Sequence, residues 1–122
     1  MSDETETIAE LKARALRFRD ARSWRPFHQP KDLVLALAAE AGELCELVLW
    51  KDHAELDAEL RDDPARRRFA DELADVQNLV LLLADALELD LSDAFARKLE
   101  ANEAKYPVAK ASGSARKYTE LG

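Results

Sequence analysis

Apolar residues recur at helical spacing along most of the chain, and they predict four main helices. Ile8, Leu11, Ala15 and Phe18 repeat at intervals of three and four, and Thr7-Ile8-Ala9-Glu10 before them has the form of a capping box. This first helix ends before Pro26. Residues 23–32 hold two prolines with Trp24, Phe27 and His28, the composition of an ordered loop. Asp32 is placed to cap a long helix from Leu33 to about Lys51. A short helix or turn from His53 to Leu60 follows. Asp63-Pro64 then reads as a cap with proline at the first helical position. It opens a helix to about Leu89, with an inner stripe of Phe69, Leu73, Val76, Val80, Leu83 and Leu87. Ser92 is positioned to cap a last helix to about Lys105, stopped by Pro107. Residues 108–122 lack periodicity and read as a flexible tail, leaving 1–107 as one helical domain. No segment has the alternation of a strand. The predicted fold is an all-α four-helix bundle, its core completed by a second copy because so short a chain buries little surface alone.

The helix from Leu33 to Lys51 departs from an ordinary amphipathic pattern. At about 100° per residue, Glu40, Glu43 and Glu46 fall within an arc of roughly 120°. The rest of the circumference is apolar, including Leu33, Leu37, Ala41, Leu44, Cys45 and Val48. No cation lies on this helix until Lys51. Such a pattern predicts a largely buried helix holding carboxylates with no partner of its own. Buried carboxylates without cations either take up protons or hold a metal ion.

Spacing favours the metal. Glu40 and Glu43 stand three apart and project from adjacent turns, and Glu72 and Asp75 repeat the arrangement on the third long helix. Two such pairs on neighbouring helices supply four hard oxygen donors, a set suited to Mg²⁺, with Mn²⁺ as a substitute. A di-iron site would need a Glu-x-x-His motif on each of two helices. Arg25 and Trp50 occupy the positions three before the only histidines, His28 and His53, so that chemistry is excluded. Two histidines and one cysteine at these spacings also exclude catalytic zinc. Glu46 continues the run as a surface or supporting residue, while Asp71 and Asp85 read as solvated or structural.

Composition and charge narrow the partners. The 122 residues are 48% apolar and 35% charged, with three glycines and four prolines, a mixture that favours helix throughout. The net charge of −7 lacks the basic footprint of a nucleic-acid polymer binder. The charge is uneven, with +3 from Ala96 onward against −10 before it, so metal binding and phosphate contact can come from different parts of the chain. The single cysteine, Cys45, fits a reducing compartment and reads as a buried structural thiol. Leu79 to Leu91, the longest apolar stretch, is too short and too charged to span a bilayer. A cytoplasmic protein with no membrane partner is expected.

Glu40-Ala-Gly-Glu43 followed by Glu72-Leu-Ala-Asp75 resembles the ExxE…ExxD signature of the MazG-like all-α nucleoside triphosphate pyrophosphohydrolases. Residues 27–30 (FHQP), 40–51 (EAGELCELVLWK) and 71–76 (DELADV), with Lys98, Asn102, Tyr106-Pro107 and 117–121 (KYTEL), look like the dCTP pyrophosphatase branch. The resemblance runs from about Phe18 to Leu121. It implies Mg²⁺-dependent cleavage of a (deoxy)nucleoside triphosphate, dCTP or a modified dCTP, between the α- and β-phosphates. It also implies a homodimer or homotetramer with sites shared between chains, serving nucleotide-pool house-cleaning. By the same resemblance Glu40 or Glu43 orients or deprotonates the attacking water. Trp24 and Trp50 stack on the base, His28 lies near base or sugar, and Lys98, Asn102 and Tyr106 contact the nucleotide. Two positions depart from the animal enzymes of that branch. Leu79 replaces a tyrosine and Ala15 a histidine, which loosens the expectation of cytosine preference. Phosphoribosyl-ATP pyrophosphatase activity and a non-catalytic helical assembly module are the competing readings. The module predicts exposed charge on Glu40 and Glu43 and no response to metal.

Overall fold

A computed structural model describes all residues, 1–122, and contains six α-helices and no strand. They are α1 (Ile8–Ala21), α2 (Pro30–Glu46), α3 (His53–Glu59), α4 (Asp63–Ala86), α5 (Leu91–Lys105) and α6 (Val108–Ala111). The chain forms two compact units, Met1–Glu88 and Leu89–Gly122. In the larger unit α4 is the central element, packed against both α2 and α1.

Local chemistry explains most of the boundaries. The capping box at α1 forms as expected. Glu10 N donates to Thr7 Oγ1 at 3.2 Å, and Thr7 N donates to Glu10 Oε2 at 2.8 Å. α2 begins earlier than expected, at Pro30, with Gln29 as its cap residue. Proline at the first helical position gives up no hydrogen bond and arrives with its φ preset, so it starts this helix rather than delaying it. Asp32, expected as the cap, sits inside the first turn, where an acid suits the helix dipole. α4 is capped by Asp62, which accepts from Ala65 N at 3.3 Å, and not by Asp63. α5 is capped by Asp90, accepting from Asp93 N at 2.8 Å, and not by Ser92. Residues 108–122 contain short local elements. α6 and a 3-10 turn at Tyr118–Glu120 lie there, and the Tyr118 ring meets Tyr106 edge-on at 6.0 Å.

The core is small. Leu33, Ala65, Leu81, Leu82 and Ala84 are the buried apolar residues. The stripe expected to face inward on α4 therefore sits partly on the surface, with Leu73 and Leu87 exposed, and the buried edge runs through Leu81, Leu82 and Ala84. α2 buries only Leu33, leaving Val34, Leu35 and Cys45 in solvent. The apolar surround of α2 was legible in sequence, but within one chain α4 covers only part of it. Arg19 is the one buried charged residue, with Nε 2.8 Å from Asp20 Oδ1 and Nη1 3.4 Å from Asp85 Oδ2. The pair ties α1 to α4. No helix is long and apolar enough to cross a membrane.

Candidate metal and nucleotide site

The packing of α2 on α4 brings both carboxylate pairs together. One oxygen from each of Glu40, Glu43, Glu72 and Asp75 can be chosen so that all lie within 4.8 Å of one another. Glu40 and Glu72 are half-buried, while Glu43 and Asp75 are exposed. The Oε2 atoms of Glu40 and Glu72 are buried without a hydrogen-bond partner. Burial pushes the Glu40 carboxyl above its ordinary value, and its hydrogen bond to Glu43 and the charges of Glu43, Asp75 and Glu72 push it further. Glu72 is raised in the same direction, again first by burial and then by Glu43, Asp75 and Asp71. Four converging acids with orphaned oxygens fit a hard divalent cation in chemistry and number. Glu46 lies outside this group and is exposed.

An open groove of about 400 Å³ runs between α1 and α4, lined by Leu11, Arg14, Ala15, Phe18, Gln77 and Asn78 among others. Asn78 is one turn beyond Asp75 on α4, so groove and acidic cluster share a helix. Ala15 lines the groove, whereas Leu79 is not among its walls. Arg14 and Gln77 had no role in the sequence reading, because only the folded pairing of α1 with α4 puts them beside Asn78.

Of the other expected nucleotide contacts, Trp24, His28 and Trp50 belong to the larger unit and Lys98, Asn102 and Tyr106 to the smaller. Trp24 packs edge-on against Phe18 at 5.9 Å and lies 6.5 Å from His28. His28 keeps a buried, unpartnered Nδ1 and lines a polar pocket of about 240 Å³ with Arg19, Arg25, Gln29, Asp85 and Glu88. Trp50, expected within the helix from Leu33 to about Lys51, instead follows the end of α2 in a turn. Its φ is +63° and it is 92% exposed. Within the smaller unit, Lys98 is exposed and Asn102 half-buried on one face of α5. Tyr106 ends that helix, donating its N–H to Asn102 O at 2.8 Å.

A helical scaffold carrying this ExxE…ExxD cluster defines the class: an all-α nucleoside triphosphate pyrophosphohydrolase. The chain belongs to the MazG-like family, whose profile matches residues 35–121. It is similar to dCTP pyrophosphatase 1 of Rattus norvegicus, with 38% identity over 115 residues, 94% of this chain and 68% of the relative. The Homo sapiens protein of the same name is 37% identical with the same coverage. Among solved structures, a pyrophosphatase from Archaeoglobus fulgidus superposes with a TM-score of 0.76 at 32% identity, covering 88% of this chain and 98% of that one.

Proposed function

We propose that this chain hydrolyses dCTP or a modified dCTP between the α- and β-phosphates, yielding the monophosphate and pyrophosphate, with Mg²⁺ held by Glu40, Glu43, Glu72 and Asp75. The observation that carries this reading is the convergence of two i,i+3 carboxylate pairs within 4.8 Å, two of their oxygens buried and unpartnered. A divalent ion there, Mg²⁺ or Mn²⁺ in its place, supplies charge neutralisation for the phosphates and a more acidic water. Glu40 or Glu43 orients the attacking water and accepts its proton. Both are side chains of the cluster that would hold the ion. Trp24 and Trp50 offer stacking surfaces for the base, each such stack contributing about 1–3 kcal/mol. His28 serves base or sugar, and Lys98, Asn102 and Tyr106 the triphosphate. The groove beside Asn78 has room for a base, and Ala15 makes that wall small and apolar.

A second copy of the chain covers the apolar face of α2, giving a homodimer or homotetramer. The setting is the cytoplasm and the purpose nucleotide-pool house-cleaning, with no nucleic-acid polymer as partner at a net charge of −7. The deciding experiment is a pyrophosphate-release screen over ordinary and modified (d)NTPs with and without Mg²⁺. Metal-dependent pyrophosphate release, highest with cytosine nucleotides, is expected. Orthophosphate as the product, or turnover indifferent to EDTA, would refute the assignment, and highest turnover with phosphoribosyl-ATP would redirect it.

A further inference from the structure

Trp50 combines two properties that ordinarily exclude each other. Its backbone lies in the left-handed region, which a bulky side chain disfavours, and its indole is 92% exposed, so little packing holds it there. Strained positions persist only where their surroundings over-determine them, and they concentrate at functional sites. The restraint here comes from the next residue. Lys51 Nζ donates to Leu47 O at 2.8 Å, closing the turn that carries Trp50 at the C-terminal end of α2. The same ammonium lies 2.6 Å from Glu59 Oε2, and Glu59 Oε1 lies 3.6 Å from Arg68 Nη2. One half-buried lysine thus fastens the end of α2 to α3, and α3 to α4. The hydrogen bond from Lys51 holds the Glu59 carboxyl below the usual range, which favours its charged form.

We propose that the Lys51–Glu59–Arg68 triad is a positioning device. It locks the turn after α2 so that Trp50 stands in solvent as a preformed platform for the substrate's base. The proposal rests on the stacking role given to Trp50 above, and it makes Lys51 and Glu59 positioning residues for nucleotide binding. Isolated ion pairs of this exposure add little to global stability. A stacking surface already ordered before binding, however, spares the complex the cost of ordering it. The helix that ends in this turn is also the one that supplies Glu40 and Glu43. A platform fixed to its end is therefore fixed relative to two of the four carboxylates.

The test uses dCTP with Mg²⁺ and compares Lys51→Met, Lys51→Arg, Glu59→Gln, Trp50→Ala and the double variant Trp50→Ala/Lys51→Met, each checked by circular dichroism. Lys51→Met and Glu59→Gln should raise KM about fivefold, within the range of a lost stacking contact, and leave kcat within about twofold. Lys51→Arg, which keeps the charge and both acceptors in reach, should restore most of the KM. The double variant should match Trp50→Ala alone, because the lysine acts through the tryptophan. In a Trp24→Phe chain, where Trp50 is the only indole, Lys51→Met should enlarge the fast local component of the fluorescence anisotropy decay. A KM penalty from Lys51→Met that persists in the Trp50→Ala background would overturn the proposal by showing that the ammonium acts on its own. Impairment by Trp50→Ala with indifference to Lys51→Met overturns the triad alone. An unaltered KM in Trp50→Ala removes the stacking reading and the triad's purpose with it. Should Lys51→Met fail to fold, Glu59→Gln and Arg68→Met carry the same comparison.

Discussion

Glu43 helps to raise the carboxyls of both half-buried glutamates of the cluster, Glu40 and Glu72, while its own side chain reaches solvent. Removing its charge tests the site most directly. Glu43→Gln should abolish Mg²⁺-dependent pyrophosphate release and leave the far-UV spectrum unchanged. It should also melt higher than the parent chain in EDTA at neutral pH, because it deletes a repulsion that only a cation offsets. Turnover equal to the parent's would remove Glu43 from the mechanism. The pH dependence follows from the same charges. Glu40 and Glu72 have folded values above the ordinary 4.5, so the metal-free fold binds protons more tightly than the unfolded chain. Their contribution to stability is complete below that value and is lost as pH rises through the folded values. Asp20 and Glu59, lowered by Arg19 and Lys51, run the opposite way: their contribution is present above the ordinary range and lost as pH falls. The informative quantity is therefore the difference that metal makes. The gain in Tm on adding Mg²⁺ should grow as pH rises above the ordinary carboxylate range, and a gain that stays flat would separate the cluster from metal binding.

Among the elements, α4 supplies two of the four carboxylates, and its start is set by a single side chain, Asp62. Asp62→Ala should cost about 1 kcal/mol of stability, as lost caps do, and lower Tm by roughly 3–6 °C. Glu72 lies ten residues further along, about 15 Å at helical rise, so kcat should hold. Calorimetry and steady-state kinetics check the two halves of that expectation. What the sequence reveals about these elements follows a physical division. The Thr7–Glu10 capping box and the i,i+3 carboxylate pairs are local patterns, and both form as read. The choice between adjacent residues such as Asp62 and Asp63 depends on backbone angles that composition does not encode. Arg19 pairs with Asp85, 66 positions away, a contact that no local pattern encodes. The end of α2 was masked by apolar residues that continue to Leu49 after the helix has stopped.

For the whole molecule the unresolved demand is apolar surface. Val34, Leu35 and Leu73 are each half or more exposed on the two helices that carry the carboxylates, and Leu49 is equally exposed just past the end of α2. Burial of such side chains contributes about 1.5–3 kcal/mol apiece, enough together to drive association. Leu35→Glu should shift the mass measured by light scattering to that of one chain while helicity persists. A mass unaffected by the substitution would place the assembly contact elsewhere. Cys45 lies on this partly covered helix, two residues past Glu43, with its thiol exposed. The chain therefore carries a built-in footprinting group for the proposed assembly. A thiol-reactive dye should label Cys45 readily in dilute protein and more slowly as concentration rises, tracing occupation of the face without any substitution at all.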